Sequence, residues 1–157
     1  MAPWGLDVPI GAPGGSPLPL SLLIGAWLLH GRDAAYVSVA ADATPRECAA
    51  LGAELVAEGR VGLLVMGDGS ARRSQKAPGY TDPRAEPFDG GVAEALAKAD
   101  ADALLAIDPA LAGDLLAAGR APWQVLAGAQ KASDAKVAEL LYDEAPYGVA
   151  YFVASWR

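Results

Sequence analysis

The chain is short of the side chains that bind metals and form bridges. Its 157 residues include one histidine, His30, and one cysteine, Cys48. A single cysteine excludes an internal disulfide and a thiolate zinc cluster. A single histidine excludes a His-rich zinc site, or a two-histidine, one-carboxylate iron site, assembled from this chain alone. Positive charge is scarce too: 12 Lys and Arg against 19 Asp and Glu leave a net charge of -7. That argues against nucleic-acid binding, which needs a basic face. The apolar run at residues 18–29 falls short of the roughly 20 residues that cross a bilayer. The N-terminus has no basic n-region and carries Asp7 where a signal peptide would be positive. A cytoplasmic protein is therefore expected. Asparagine is absent, while Ala, Gly and Arg abound, which reads as a GC-rich coding bias with little bearing on function.

What is present suits one globular domain over residues 1–157. Hydrophobic residues make up 53% and charged residues 20%, a balance that favours a packed core over disorder. Residues 1–17 are rich in Pro and Gly and should be irregular or extended. "LPLSLLIGAWLLHG" is apolar on nearly every face and reads as a buried helix closed by Gly31. "AAYVSVA" reads as a buried strand. Thr44, Pro45 and Glu47 form a capping-box start for a helix ending at Gly59, with Leu51 and Leu55 on its core face. "RVGLLVMG" reads as a central strand, and Asp89 as the cap of the helix "GGVAEALAKAD". Three helical stretches follow, "ADALLAI", "PALAGDLLAAG" and "APWQVLAGAQ". The chain closes with two strands around a turn near Ala145 and Gly148. Strands alternating with helices predict an α/β layered domain with a mixed, mostly parallel sheet and a C-terminal strand pair.

The candidate site is the loop at residues 67–84, at the carboxyl end of the second strand, where open α/β sheets bind ligands. Its candidates are Asp68, Gly69, Ser70, Arg72, Arg73, Lys76, Tyr80 and Arg84. The stretch Gly67-Asp68-Gly69-Ser70 can bind an anion through its backbone N–H groups or simply form a tight turn. It has neither the spacing of a P-loop nor that of a nucleophile elbow. Arg72, Arg73, Lys76 and Arg84 either form a pocket for a carboxylate or phosphate, or are solvated and paired to Asp82 and Glu86. Tyr80 can stack on a ligand or anchor the loop. Ser70 has no base nearby in sequence, which weakens a metal-free enzyme acting on phosphate or carboxylate esters. His30 suits a helix C-terminus, and Cys48 suits inert helix packing. Trp27, Trp123 and Trp156 suit a core or an interface. Asp100, Asp102 and Asp108 suit a solvated set flanking helices.

Four stretches together give the chain a family likeness. They are Met66-Gly67-Asp68-Gly69-Ser70-Ala71, Phe88-Asp89, Trp123 with Gly128-Ala129, and Tyr142 with Pro146-Tyr147-Gly148. In this pattern the chain resembles the catalytic B-subunit family of class III extradiol ring-cleaving dioxygenases, in particular an actinobacterial branch, with the Memo-like proteins similar in fold. The resemblance implies ferrous iron held by two His and one Glu, with a further His as acid–base on a catechol. Carried over residue by residue, the acid–base His falls on Ala71, and the Glu near Gly119 or Arg120. One His ligand falls on Trp4, and the other upstream of Met1. The resemblance thus implies a degenerate, non-catalytic member with no catalytic residue, metal ligand or cofactor, lacking the family's first strand and helix. Such a protein would bind a small anionic or aromatic molecule, a partner subunit or a second copy. The alternative is an iron(II) enzyme whose ligands come from a missing N-terminal segment or from a partner. A lost first strand would leave a sheet edge open to pairing.

Overall fold

Helices dominate because each closes its own hydrogen bonds locally, and the computed structural model describes residues 18–57, 59–133 and 137–157. In chain order they are α1 (Leu20–Leu28), α2 (Pro45–Leu55), α3 (Ala85–Lys98), α4 (Ala101–Leu105), α5 (Pro109–Asp114) and α6 (Arg120–Lys131). An antiparallel pair, β1 (Ala138–Glu144) and β2 (Tyr151–Trp156), closes the chain. The class is mixed α and β. The described residues fall into two compact units, one of residues 18–38 and 64–66, the other of residues 39–57, 59–63, 67–133 and 137–157.

In the first unit, α1 is wrapped in apolar side chains as its composition predicts, but only Gly25 and Ala26 are buried. Gly25 lets Met66 and Leu64 lie close: a Cβ there would sit 3.2 Å from Met66 Cγ. Leu20, Ile24, Trp27 and Leu28 remain exposed. His30 follows the helix in a left-handed conformation, its N–H donating to the Trp27 carbonyl.

The second unit holds the core. The predicted capping box of α2 forms: Glu47 N–H donates to Thr44 Oγ1, and Thr44 N–H donates to Glu47 Oε2 at 2.8 Å. The helix stops at Leu55, one turn before Gly59. It crosses α6 at backbone contact. A Cβ on Gly52 would lie 1.9 Å from the Val125 carbonyl oxygen, and one on Gly128 would lie 2.2 Å from that of Ala49. Cys48, Ala121 and Val125 are buried between these helices, with Val39, Leu51 and Leu55 against them. Burial pushes the Cys48 thiol up, so it is an inert packing residue.

A polar relay ties this core together. Arg120 of α6 is buried and donates to the carbonyls of Ala41 and Ala43 and to Gln124 Oε1. The Gln124 amide in turn donates to the Leu104, Leu105 and Ile107 carbonyls. Asp100 and Asp108 cap α4 and α5, and Asp102 pairs with Lys131 at 2.6 Å. Trp123 is buried edge-on to Phe152, and the Trp156 indole donates to the Leu96 carbonyl, whereas Trp27 is exposed.

Two further expectations change. Residues 34–40 and 60–67, read as strands of the core, join no ladder; the first stretch is exposed apart from Val39, and the second is partly exposed and partly half-buried. Among the described residues none of their backbone N–H groups donates a hydrogen bond. Asp89 caps nothing: α3 starts four residues earlier, after Arg84, with Pro87 in its first turn where a missing N–H costs no helical bond. The C-terminal hairpin does follow the sequence. It pairs Ala138 with Trp156 and Glu144 with Tyr151, with a bulge between Leu140 and Tyr142.

Candidate functional site

The inner half of the loop, residues 67–73, is fixed on three sides. Against the hairpin, Gly69 N–H donates to the Ala150 carbonyl at 2.7 Å, Ala150 N–H to that of Ser70, and Arg73 N–H to that of Gly148. Against the turn between α5 and α6, Gly119 N–H donates to the Asp68 carbonyl at 2.7 Å, and Ala71 N–H to that of Leu115. Here Gly67 meets Gly119 directly; a Cβ on Gly67 would be 2.4 Å from the Gly119 Cα. From below, Asp89 of α3 accepts from Ser70 N–H at 2.8 Å, from the Ser70 hydroxyl at 2.5 Å and from Arg73 Nη1 at 3.2 Å.

Ser70 and Asp89 have the contact distance of a nucleophile and its base. Their exposure rules out that use as the protein stands: Ser70 is 0% and Asp89 1% exposed. The pair is a buried clamp whose charge is met by Arg73. Sequence reasoning missed this partner of Ser70 because it lies 19 residues away.

The outer half of the loop is different. Arg84 is committed to Asp82 and Asp114, and Arg73 reaches Glu86 as well as Asp89. Its bond to Arg84 holds the Asp82 carboxyl down at about 2. These two cations thus follow the solvated, paired expectation. Among the described residues Arg72 and Lys76 have no ion-pair partner, and Arg72 Nε is buried without a hydrogen bond. Arg72 and Leu116 converge at Gly79, where a Cβ would be 2.7 Å from Arg72 Cγ and 2.8 Å from Leu116 Cδ1. The adjoining Tyr80 is 74% exposed. Tyr80 and Leu116 both hold left-handed backbone, a conformation that costs a non-glycine residue about 1–2 kcal/mol. Tyr80 therefore does not anchor the loop by burial; it stands out from it.

Asp68 belongs to the inner half by its backbone, but its side chain takes no part in the clamp. It forms no ion pair or side-chain hydrogen bond with a described residue. Although the residue keeps an exposed surface, desolvation by the surrounding protein raises its carboxyl above the ordinary range. Its charge also acts on Tyr151 of β2, whose phenol is raised first by its own burial and then by Asp68. Tyr151 was not among the sequence candidates, since no motif marks it.

Of the positions where the resemblance puts iron chemistry, Ala71 is a buried methyl, and Gly119 is a backbone contact of Asp68. Arg120 turns away to the Ala41 and Ala43 carbonyls. Trp4 lies outside the described residues. Among the described residues no three His, Cys, Asp or Glu converge as a cation site. An open groove of about 360 Å³ lies apart from the loop, lined mainly by Phe88, Val92, Ile107 and Leu111. No described helix is long and apolar enough to cross a membrane. No protein-family model matches the chain, and no curated protein matches it in sequence.

Proposed function

We propose that the chain is a non-catalytic relative of the class III extradiol dioxygenase B-subunits that binds a small anionic or aromatic molecule at residues 68–84. The observation that carries this reading is the division of the loop. Its inner half is closed on itself, with the Ser70 hydroxyl and Asp89 carboxylate satisfied by each other and Ala71 where the family has its acid–base. Its outer half holds Arg72 and Lys76, which have no ion-pair partner among the described residues, and the exposed ring of Tyr80. Cations without an ion-pair partner and an exposed ring in one loop suit a planar carboxylate. The same reading places the protein in the cytoplasm, with residues 34–40 and 61–67 as strands of a layered α/β/α core.

Ferrous iron does not fit the described residues. Ala71 and Gly119 offer no ligand atom, and the Arg120 guanidinium would repel a cation, so no step is drawn through a metal. The alternative reading, an iron(II) ring-cleaving dioxygenase of catechol-type aromatics, would take its ligands from an N-terminal segment or a partner subunit. The backbone N–H groups of residues 34–40 and 61–67, which donate to no described residue, favour it. Titration with protocatechuate separates the two. Calorimetry should detect binding that Arg72→Ala weakens by about tenfold. With ferrous iron and dioxygen added, no ring-opened product should absorb. Ring opening overturns the proposal in favour of the alternative, and absence of binding overturns the ligand class.

A further inference from the structure

The groove of about 360 Å³ lies between α3 and the segment from α4 to α5, wholly inside the second unit. Val92 and Ala95 of α3 are its buried floor, and Phe88, Ile107 and Leu111 are half-buried in its walls. Of the described residues that line it, Asp108 alone has a polar side chain, and none is Lys or Arg. One Asp108 oxygen accepts from Ala110 N–H at 2.9 Å. The other accepts from no described residue, and Asp108 has no ion-pair partner among them. The carbonyls of Leu104, Leu105 and Ile107, at the end of α4, already accept from the Gln124 amide. The groove thus presents apolar walls and one uncommitted anionic oxygen. Gly91 adds an independent observation. It stands in the middle of α3, where glycine is the poorest helix former apart from proline. A Cβ there would meet nothing within 4 Å, so no neighbour in the chain requires a glycine. Its effect is to keep one wall of the groove bare. Gly90 is equally open but does not line the groove.

We propose that this groove is a second binding site, for a small aromatic amine whose rings lie against Phe88, Val92, Ile107 and Leu111 and whose ammonium group meets Asp108. The site goes beyond the reading of the loop at residues 68–84 and does not rest on it. Size, polarity and charge each select this class. Small-molecule sites are usually concavities of about 300–1,000 Å³, apolar with a few placed polar groups. A cavity of about 150 Å³ takes benzene, so the groove has room for two fused rings or for one ring with a short arm. A carboxylate would find no cation in these walls and would face Asp108, whereas an ammonium gains a charge-assisted hydrogen bond there. The net charge of -7 acts in the same direction. The loop holds Arg72 and Lys76 and selects the opposite sign, so ligands of the two sites do not compete.

The test titrates the full chain with naphthylmethylamine and follows the amide resonances by NMR. Saturable shifts should gather at residues 87–95 and 103–111, with a Kd of about 0.1–1 mM for a ligand of this size. Naphthoate, of the same shape and opposite charge, should bind about fivefold more weakly. Asp108→Asn keeps a good helix cap, so the fold should hold. It should weaken the amine by about threefold and bring the two compounds to within about twofold of each other. Gly91→Leu puts a side chain into the groove and should abolish binding. Gly90→Leu has the same gain in helix propensity and should leave binding within about twofold of the parent. Both variants should unfold at or above the parent's midpoint, since neither new side chain meets a neighbour at its Cβ. The proposal is overturned by absence of saturable shifts up to about 10 mM, or by shifts gathered outside the groove. It is also overturned if naphthoate binds as tightly as the amine, if Gly91→Leu binds normally or if Gly90→Leu loses binding. Protocatechuate should leave the amine's affinity unchanged; displacement would mean that the groove is not a separate site.

Discussion

The crossing of α2 with α6 and the stretch at residues 61–67 are both built from small and apolar side chains, yet one is core and the other is only partly covered. Gly52, Cys48, Ala121, Val125 and Gly128 are pressed to backbone contact. Val61 and Leu64 are exposed. Hydrophobicity does not separate them. A helix satisfies its own N–H and C=O groups and needs neighbours only for its apolar face. A strand needs a partner for its backbone before burial can follow. Where that partner is not among the described residues, an apolar stretch stays only partly covered.

The largest effect should come from the clamp at which this stretch runs into the core. Asp89→Ala removes the acceptor of Ser70 N–H, the Ser70 hydroxyl and Arg73, leaving buried donors and a half-buried cation without their anion. Removing one side of such a pair costs about 3–5 kcal/mol. Urea unfolding should show the midpoint falling at unchanged m-value. A loss under about 1 kcal/mol would mean that the loop is fixed by its backbone contacts alone. Next comes the crossing itself. Gly52→Ala gains about 1 kcal/mol of helix propensity, but its methyl would sit 1.9 Å from the Val125 carbonyl oxygen. The two helices must separate, with a net cost of about 2 kcal/mol in the same experiment. Neutrality there would show that the crossing is looser than its geometry.

One substitution made in both regions sharpens the contrast. Val125→Thr puts a hydroxyl into the buried crossing and should cost about 1–2 kcal/mol, moderated by a bond back to its own helix. Val61→Thr keeps the β-branched shape on a residue that is already exposed, and should lie within about 0.5 kcal/mol of the parent. Equal losses at the two sites would show that residues 61–67 are buried in solution by something supplied from elsewhere.

The same contrast explains what the sequence disclosed. Thr44, Pro45 and Glu47 announced α2 because a capping box is local in the chain. The Ala145–Gly148 turn announced the hairpin for the same reason. Residues 34–40 and 61–67 have the composition of strands, but composition cannot say whether a partner is within reach. Asp89 resembles a helix cap, and Gly90-Gly91 after it resembles a helix start, so its burial against Ser70 was hidden. That contact links two elements, and no local pattern encodes it. Within the site, the pairing of Arg84 with Asp82 was legible at a spacing of two residues. The isolation of Arg72 depends on Gly79 and Leu116 meeting in space and was not.

The smallest effect, and the one nearest to function, is at Asp68, where the exposed stretch gives way to the fixed loop. Desolvation raises its folded carboxyl above the unfolded value of about 3.9. Across the window between those two values the folded state holds the extra proton, so this group's contribution to stability falls as pH rises through it and stays lowered above. Asp68→Asn removes that cost. Its unfolding midpoint should rise slightly at neutral pH, and the gain should vanish on acidification below about pH 4, once the parent carboxyl is protonated in both states. If the variant gains stability and also binds an aromatic carboxylate more tightly, Asp68 is a repulsive gate beside Arg72. If it gains stability and loses binding, the carboxylate holds a donor group of the ligand. If it gains no stability, Asp68 is an ordinary surface residue, and the site contracts to Arg72, Lys76 and Tyr80.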